Sequence, residues 1–470
     1  MKKAIRGIVF LILLTLIIFR VYGVLKWKDT SGDYISATKQ LYSTEDNLID
    51  VIFLGSSHCY CSIYPDVLWG KYGFSAFNMT TSGQDKNSTY YLLKEALKTQ
   101  SPKVVCVELW GLTFDKHGVQ GNVYRNMMAL DLSQNSIDLV RSYVDEAEQA
   151  DYILKWPIVH TRYKEVEQYD FIPYEFSNYG RSVEASFHTG YSVEPTEALE
   201  CNEIAELTDT NKEWLENLYQ LSEEEGFDLV LFLAPTGIDL EQQKQVNAAK
   251  VFAEERGIPF FDFNRLGSDI GIDYGCDFVD GTHLNANGAE KITGYLGDYF
   301  EANYGLEDYR GNEEYYQWEQ SYTHYQHIKQ ANELLTATTF EEYVNVLEKM
   351  DDVVYVVSFE GIYKESTLQL ENYAEVLGIS KEQYEAGGTF LFSEEKMEYV
   401  LDNISNEPVI YELNKYNSFK FQNMPPVNGN GSSLSEIMLN RSPVGSAYSG
   451  LNVVVYDNFR QKLIDKRGYY

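Results

Sequence analysis

Two short segments of this 470-residue chain carry side-chain types that could perform nucleophilic catalysis. The first is residues 55–58, sequence GSSH, in which Ser57 lies in a turn directly after an apolar run. The second is residues 280–283, sequence DGTH, in which Asp280 precedes His283 by three residues. A histidine can take the proton of a serine hydroxyl, and an aspartate can orient the imidazole and stabilise its charged form. Together the segments predict Ser57 as nucleophile, His283 as base and Asp280 as the residue that orients the base.

Apolar runs of strand length predict the scaffold that positions these two segments. Five such runs have the composition of buried strands, at residues 50–54, 75–79, 104–109, 228–234 and 259–263. Stretches with helical spacing lie among them, at residues 88–97, 211–225, 241–256 and 286–300, the first with Asn87 or Ser88 as its N-cap. Strands separated by helices require crossover connections, which predict a parallel sheet with helices on both faces. Ser57 and His283 each follow a strand, where parallel sheets bind their ligands.

The remaining sequence predicts further parts of the chain. Residues 26–45 are polar and predict a stalk, which precedes a catalytic domain at residues 46–305. Within that domain, residues 114–208 break the alternation of strands and helices and predict an insertion. Residues 306–470 predict a linker helix and a smaller, β-rich α/β domain. Its predicted helices are residues 341–350 and 366–376, and its predicted strands are residues 353–359, 409–413, 418–422 and 451–456.

Residues 1–25 predict a signal anchor. Lys2, Lys3 and Arg6 precede an unbroken apolar run at residues 8–19, and positive charge before such a run keeps the N-terminus inside the cell. The run reaches the ~20 residues of a transmembrane helix only if Arg20 extends its charge to the interface. We therefore predict a single-pass protein of the cell membrane with an extracytoplasmic catalytic domain. A cleaved signal peptide is the alternative, and it would also export the chain.

Charge and cysteine content argue against several classes of function. The chain has 71 acidic and 38 basic residues, and its formal charge of −33 repels phosphate backbones, so we predict no nucleic-acid partner. Its five cysteines show no zinc-ligand spacing, and His324 and His327 stand at helical spacing without an evident third ligand. We therefore predict neither a metal site nor a cofactor.

The two catalytic segments resemble the first and last blocks of the SGNH/GDSL hydrolase superfamily. Gly55-Ser56-Ser57 is similar to the first block, with Ser56 in place of the usual aspartate, and residues 280–283 are similar to the last. Ser82-Gly83 is similar to the block whose glycine N–H lines the oxyanion hole, which implies an oxyanion hole made by Ser57 and Gly83. The resemblance covers roughly residues 46–305. It implies a flavodoxin-like three-layer α/β/α sandwich and serine esterase or acyltransferase chemistry.

One block departs from the family pattern. The family's Gly-x-Asn-Asp after the third strand is replaced by residues 108–111, sequence ELWG, which contain no asparagine to donate to the oxyanion. Loss of one such donor can cost ~10²–10³ in rate. The departure resembles the envelope-polymer branch of the superfamily, which includes polysaccharide O-acetyltransferases and the D-alanyl transfer protein of teichoic-acid operons.

These features predict an exported, membrane-anchored serine acyl-transfer enzyme that acts on a cell-envelope polysaccharide. It would be an O-acetyltransferase if a sugar hydroxyl accepts the acyl group, and an acetylesterase if water does. The expected partners are a cell-envelope glycan or a teichoic-acid-like polymer, and a membrane-bound acyl-donor protein. We also predict substrate contacts from His58, Glu108 and Trp110, with a buried structural role as the alternative for His58.

A second class of function stays open on the same residues. A catalytically degenerate domain could serve as a glycan-binding or assembly subunit of the cell envelope. The missing asparagine favours this alternative, whereas the complete set of Ser57, His283 and Asp280 opposes it. Residues 353–359, 374–378 and 450–457 resemble the interleukin-like domain of some secreted proteins, which implies a binding module, with a packing domain as the equal alternative.

Overall fold

The chain forms two compact units, Met1–Tyr322 and Thr323–Tyr470. A computed structural model describes residues 2–26, 35–113, 121–171, 190–194, 200–360, 367–386, 388–393, 396–401, 407–424, 434–445 and 450–469. Residues 27–34 of the predicted stalk and residues 114–120, 172–189 and 195–199 of the predicted insertion lie outside the described residues. The domain boundaries drawn from the sequence stay predictions.

The first unit contains a sheet and the helices that surround it. Its strands are β1 (Val51–Leu54), β2 (Ala76–Asn78), β3 (Val104–Glu108), β4 (Asp228–Leu233) and β5 (Phe260–Asp262). Its helices are α1 (Lys2–Leu25), α2 (Ile35–Ser43), α3 (Ser57–Tyr60), α4 (Pro65–Tyr72), α5 (Lys86–Ala96), α6 (Gly121–Ala129), α7 (Gln134–Arg141), α8 (Gln149–Leu154), α9 (Trp156–Val159), α10 (Asp209–Glu225), α11 (Leu240–Arg256), α12 (Phe263–Leu266) and α13 (Ala286–Tyr304). Short 3₁₀ turns occupy Leu109–Thr113, His160–Lys164, Gln168–Phe171 and Glu313–Tyr315.

All neighbouring strands of this sheet are parallel, in the order β2-β1-β3-β4-β5. Val51 lies opposite Ala76 of β2 on one side and Val104 of β3 on the other, so β1 lies between β2 and β3. The chain moves outward from β1 to β2 and then crosses back to β3. The strand order therefore reverses between β1 and β3, which is the switch point where doubly wound folds bind ligands. The predicted parallel sheet is confirmed.

Side chains of the sheet alternate between two separate cores. One core contains Ile52 and Leu54 of β1 and packs against α5, α10 and α11. The other contains Val51 and Phe53 of the same strand and packs against α4 and α13. Successive side chains of a strand point to opposite faces, so a strand buried on both sides reads as a continuous apolar run. Helices cover both faces, and the predicted three-layer α/β/α sandwich is confirmed.

Side-chain caps fix where two helices near the sheet edge begin. The N-cap of α5 is Asp85, which accepts a hydrogen bond from the Ser88 N–H at 3.0 Å. The predicted cap at Asn87 or Ser88 is wrong, because both residues lie inside the first helical turn. The N-cap of α13 is Asn285, which accepts from the Gly288 N–H at 3.2 Å. This cap lies two residues after His283, and α13 begins at the next residue, Ala286.

The second unit is β-rich and antiparallel. One sheet has the order β14-β13-β6-β7-β8 and the other β12-β11-β10-β9, with β6 (Val353–Glu360), β7 (Gly388–Ser393), β8 (Lys396–Leu401), β9 (Val409–Glu412), β10 (Ser418–Met424), β11 (Leu434–Leu439), β12 (Ser442–Pro443), β13 (Gly450–Asp457) and β14 (Lys462–Tyr469). Its helices are the end of α14 (Tyr316–Thr336), α15 (Phe340–Leu347), α16 (Thr367–Val376) and α17 (Lys381–Ala386). The larger sheet packs against α15 and α16 on one face and the smaller sheet on the other. The predicted β-rich region is confirmed.

The N-terminal segment forms one continuous helix, α1. Its 24 residues extend ~36 Å at 1.5 Å per residue, which exceeds the ~30 Å hydrocarbon core of a bilayer. Apolar side chains along it, such as Phe10, Leu11 and Phe19, are exposed. Among the described residues, this is the one helix that is long and apolar enough to cross a membrane.

Candidate active site

The serine turn is fixed by a glycine that has no room for a side chain. Gly55 follows β1 with φ +149°, a conformation that favours glycine, and a Cβ there would lie 2.5 Å from the Cβ of Glu108. Ser56 then caps the short helix α3, because its Oγ accepts a hydrogen bond from the His58 N–H at 3.2 Å. The turn therefore places Ser57 at the first position of α3, beyond the carboxyl end of β1.

The structure brings the three predicted catalytic residues together. Ser57 Oγ lies 2.8 Å from Nε2 of His283. The other ring nitrogen, Nδ1, lies 2.9 Å from Oδ2 of Asp280. A carboxylate can only accept here, so Nδ1 carries the proton and Nε2 presents its lone pair to the Ser57 hydroxyl. Residues separated by 226 positions in the sequence thus form one hydrogen-bonded chain.

The loop around Asp280 keeps its carboxyl group ionised. Oδ1 accepts the backbone N–H groups of Thr282 and His283, both at 2.8 Å. Burial raises the pKa of Asp280, but the Thr282 N–H and the His283 imidazole outweigh this effect and hold the pKa below its usual value. The His283 carbonyl also accepts the Val279 N–H at 2.9 Å, which closes the loop on itself. An anionic Asp280 can stabilise the imidazolium that forms during proton transfer.

His58 is buried and stacks on the ring of His283. The ring centroids are 4.6 Å apart with planes inclined by 12°, and the Trp110 ring lies 5.1 Å from His58 on another side. Nδ1 of His58 donates to the carbonyl oxygen of Thr282 at 3.1 Å. Burial, followed by the neighbouring His283, lowers the pKa of His58 to about 3, so the ring is neutral at ordinary pH. A neutral ring holds His283 in place without repelling its protonated form.

Glu108 is fully buried beneath the serine turn. Its Oε2 accepts the Ser56 hydroxyl at 3.0 Å, and its Oε1 accepts the Trp110 N–H at 2.7 Å. Burial outweighs these hydrogen bonds and raises the pKa of Glu108 to about 7. The side chain therefore connects the end of β3 to the residue before the nucleophile. Substrate contact by His58, Glu108 or Trp110 stays a prediction.

Gln84 is a structural residue of the site that the sequence did not reveal. Its Oε1 accepts the Gly55 N–H at 3.0 Å, and its Nε2 donates to the Met79 carbonyl at 3.1 Å. Thr81 adds a second link, because its N–H donates to the Gly55 carbonyl at 3.2 Å. These bonds hold the loop that contains Gly83, which has φ +59°, against the serine turn. A glutamine one residue after a glycine carries no signal in a single sequence, since its partner is 29 positions away.

The described residues contain no group of three or more His, Cys, Asp or Glu side chains that could hold a metal ion. In the second unit, Nδ1 of His327 lies 3.2 Å from Oδ2 of Asp457, and the ring stacks on Phe459 at 4.7 Å. The five cysteines are free thiols. Two further histidines, His117 and His188, lie outside the described residues.

The raised pKa of Glu108 gives a testable pH dependence of stability. Below pH ~4.5 Glu108 is protonated in both the folded and unfolded states, and its contribution to the free energy of unfolding is fully present. As pH rises through about 7, the folded state must ionise a buried carboxyl, so that contribution is lost. Glu108→Gln imitates the protonated form and does not titrate. Between pH 5 and pH 8, the free energy of unfolding of Glu108→Gln, relative to that of the wild type, should increase by about 2–3 kcal/mol.

Urea unfolding of the wild type and Glu108→Gln at pH 5, 6, 7 and 8 measures this shift. The control is Glu301→Gln, which removes an exposed carboxylate from α13 and should leave the pH dependence parallel to that of the wild type. Parallel curves for Glu108→Gln would show that Glu108 ionises without cost in the folded chain.

Comparisons with known proteins identify no family for this chain. No family model matches it, and no curated protein matches it. Among solved structures, it is similar to a Bacteroides fragilis chain described as a "putative acylhydrolase", with 12% identity and a TM-score of 0.29. The alignment covers 59% of this chain and 99% of that chain. A likeness at this TM-score supports no conclusion about the activity.

Proposed function

We propose that this chain is a serine acyl-transfer enzyme of the SGNH/GDSL type that acts on an ester of a cell-envelope polysaccharide. One observation carries the proposal. Ser57 Oγ lies 2.8 Å from Nε2 of His283, and Nδ1 of the same ring lies 2.9 Å from Oδ2 of Asp280. A nucleophile within hydrogen-bond reach of a base, with a third group orienting the base, is the arrangement that activates a serine.

The first half of the reaction transfers the acyl group to the enzyme. Ser57 Oγ attacks the ester carbonyl carbon while His283 Nε2 takes the hydroxyl proton, and the carbonyl π electrons move onto oxygen. The tetrahedral intermediate then collapses, the bond to the leaving alcohol breaks, and His283 returns the proton to that oxygen. The product is an ester of Ser57, and Asp280 stays ionised throughout.

The second half regenerates Ser57. A sugar hydroxyl or a water molecule attacks the acyl carbon, and His283 takes its proton. Collapse of the second intermediate releases Ser57 Oγ, which recovers its proton from His283. A sugar acceptor makes the enzyme an O-acetyltransferase when the acyl group is acetyl, and water makes it an acetylesterase.

We assign the oxyanion of both intermediates to the backbone N–H groups of Ser57 and Gly83. Gln84, next to Gly83, accepts a hydrogen bond from the Gly55 N–H, and Glu108 accepts one from the Ser56 hydroxyl. Both oxyanion donors therefore belong to segments that are held together by buried hydrogen bonds. Preorganised donors stabilise developing charge without the cost of reorganisation. No asparagine stands in residues 108–111, which is consistent with a two-donor site of modest rate on simple esters.

The experiment that tests the proposal measures whether the acyl-enzyme transfers its acetyl group to a sugar or to water. Purified protein is incubated with 4-nitrophenyl acetate, with and without soluble oligosaccharides prepared from envelope glycans. We expect release of 4-nitrophenol above the uncatalysed rate, with acetylated sugar exceeding free acetate for a transferase and the reverse for an esterase. Release that equals that of Ser57→Ala under all conditions would exclude acyl transfer and favour the glycan-binding alternative.

We also propose that α1 crosses the cell membrane and leaves the catalytic unit outside the cytoplasm. Basic residues Lys2, Lys3 and Arg6 precede the apolar part of α1, and such residues are retained on the cytoplasmic side. Alkaline phosphatase, active only outside the cytoplasm, should be active when fused after residue 45. A reporter active only inside the cytoplasm, such as green fluorescent protein exported through the same route, should be dark at that position. The opposite pattern would reverse the orientation.

A further inference from the structure

A cavity of about 730 Å³ lies beside the carboxyl-terminal end of α1. Ile18, Phe19 and Tyr22 of α1 form one wall, and Leu130 and Leu154 form part of the opposite wall. This volume falls within the ~300–1,000 Å³ of known small-molecule sites. The cavity shares no lining residue with the catalytic site.

The end of α1 is held against the rest of the unit by specific contacts. Arg162 donates to the carbonyl oxygens of Leu25 at 3.2 Å and Lys26 at 2.6 Å. The Tyr22 and Trp156 rings lie 6.3 Å apart, and both residues line the cavity. These contacts satisfy the last carbonyl groups of the helix, which otherwise lack intrahelical partners. The cavity is therefore a defined feature of the unit.

The cavity is basic in a strongly acidic chain. Lys26, Lys39 and Lys155 line it together with a single carboxylate, Asp131, whereas the whole chain has a formal charge of −33. Lys155 is 6% exposed, and its Nζ donates to the main-chain carbonyl oxygens of Met128 and Leu130. Within the part of the chain that the structure describes, no carboxylate lies within hydrogen-bonding or ion-pair distance of that ammonium group. Burial lowers the pKa of Lys155 to about 8, and the attraction of Asp131 and Glu95 only partly offsets this effect. A bound anion at the cavity would stabilise the buried ammonium group further.

The rim of the cavity carries apolar side chains that face solvent. Leu132 and Leu154 are 67% and 64% exposed, and Trp156 is 37% exposed. Soluble surfaces seldom cluster exposed apolar side chains, and such patches mark sites of protein or membrane contact. Tryptophan and tyrosine beside the end of an apolar helix are typical of the membrane–water interface. Apolar rim, basic floor and membrane helix thus occur at one place.

We propose that this cavity binds an anionic membrane lipid, with its phosphate against Lys26, Lys39 and Lys155 and an acyl chain along Ile18 and Phe19. The inference rests on the part of the proposed function in which α1 crosses the membrane. It does not depend on the reaction at Ser57. A bound lipid would fix how the catalytic unit stands on the bilayer surface.

Native mass spectrometry of the full chain tests the site. The protein is released from micelles that contain equal amounts of dioleoylphosphatidylglycerol and dioleoylphosphatidylcholine. We expect the wild type to retain one phosphatidylglycerol in preference to phosphatidylcholine. Each lysine near an anionic headgroup contributes about five-fold in affinity, so Lys26→Gln/Lys39→Gln should reduce this preference by about 25-fold. Ala129→Phe, which fills the cavity, should abolish retention.

Matched variants separate the site from general effects of charge and bulk. Lys212→Gln/Lys250→Gln removes the same charge from exposed positions of α10 and α11, and Ala302→Phe adds the same side chain to the exposed end of α13. Both controls should retain lipid as the wild type does. Equal retention of the two lipids by the wild type, or equal losses in controls and test variants, would overturn the proposal. So would complete displacement of lipid by 10-fold excess inorganic phosphate, which would make the cavity a site for the free anion.

Two further measurements distinguish failure of the lipid site from failure of either part of the proposed function. All variants should hydrolyse 4-nitrophenyl acetate at the wild-type rate, because none of the changed residues belongs to the catalytic set. Membrane insertion is measured separately by extraction with alkaline carbonate, which should leave the wild type and all variants in the pellet. Loss of lipid preference with insertion and hydrolysis intact in Lys26→Gln/Lys39→Gln supports the site. If the wild type did not insert into the membrane, the inference would lose its basis and be overturned. That result would not affect the acyl transfer proposed at Ser57.

Discussion

Replacing Ser57 with alanine is expected to lower kcat/KM for 4-nitrophenyl acetate by roughly 10³-fold or more. The variant lacks the oxygen that attacks the ester, and what remains is the binding and oxyanion stabilisation of the site. The change removes one atom from a partly exposed side chain that is hydrogen-bonded to His283, so the fold should be unaffected. Initial rates of 4-nitrophenol release, with circular dichroism to verify folding, measure the effect.

Ser56→Ala is the matched control for this loss. Ser56 Oγ donates to Glu108 and accepts from the His58 N–H, so its removal disturbs the turn without removing the nucleophile. We expect a decrease on the order of 10-fold, which corresponds to the ~1–2 kcal/mol of a lost helix cap. If Ser56→Ala were the more damaging variant, the nucleophile would be Ser56 and the roles assigned to the turn would be wrong.

The second large effect is expected at the pair that activates Ser57. His283→Ala should reduce kcat/KM about as much as Ser57→Ala. When residues act as one catalytic unit, replacing any one of them can cost nearly as much as replacing them all. Asp280→Asn should lower the rate by roughly 10²–10⁴-fold. The asparagine Oδ1 can still accept the Thr282 and His283 N–H groups, but its amide nitrogen now faces Nδ1. The imidazole then favours the tautomer that cannot accept the Ser57 proton.

The rate of Asp280→Asn separates catalysis from structure. Removal of the carboxylate removes the counter-charge of the imidazolium that forms in the transition state, so kcat/KM should be lower than that of the wild type at every pH. Profiles from about pH 5 to 9 measure the loss. If the rate were unchanged across this range, the Asp280–His283 pair would be only structural.

The sheet and the proximity of the three candidate catalytic residues could be predicted from the sequence because their signals are local. Strands buried on both faces leave continuous apolar runs, and β1, β3 and β4 lie within one residue of the predicted runs at each end. Ser57 and His283 follow β1 and β5 in the chain, and parallel strands bring their carboxyl ends to one edge. The pairing of residues 226 positions apart then follows from topology.

The supporting residues could not be predicted because they act through distant partners. Gln84 contacts Gly55, and Glu108 contacts Ser56, across loops whose proximity exists only in the folded sheet. The sequence placed Glu108 beside substrate, and its burial and raised pKa became visible only in the structure. Strands β7, β8, β11, β12 and β14 of the second unit were also not predicted. All residues of β14 whose exposure is described are half-exposed or exposed, which shows that strands of an antiparallel sheet need not be continuous apolar runs.

The basic cavity beside α1 shows the same limit. Lys26, Lys39 and Lys155 are scattered through the first third of an acidic sequence, and no spacing connects them. Only the packing of the α1 end against Arg162 and Trp156 gathers them at one place. The formal charge of the whole chain, which argued against a nucleic-acid partner, does not describe this local surface.

The most direct test of the central claim is to identify the residue that a fluorophosphonate modifies. The probe forms a covalent phosphonyl ester with an activated serine and needs no knowledge of the natural substrate. Peptide mass spectrometry of the folded wild type should locate the probe on Ser57. Labelling should vanish in Ser57→Ala, persist in Ser56→Ala and fall steeply in His283→Ala. Modification of another serine, or labelling that survives Ser57→Ala, would contradict the assignment of Ser57 as the nucleophile.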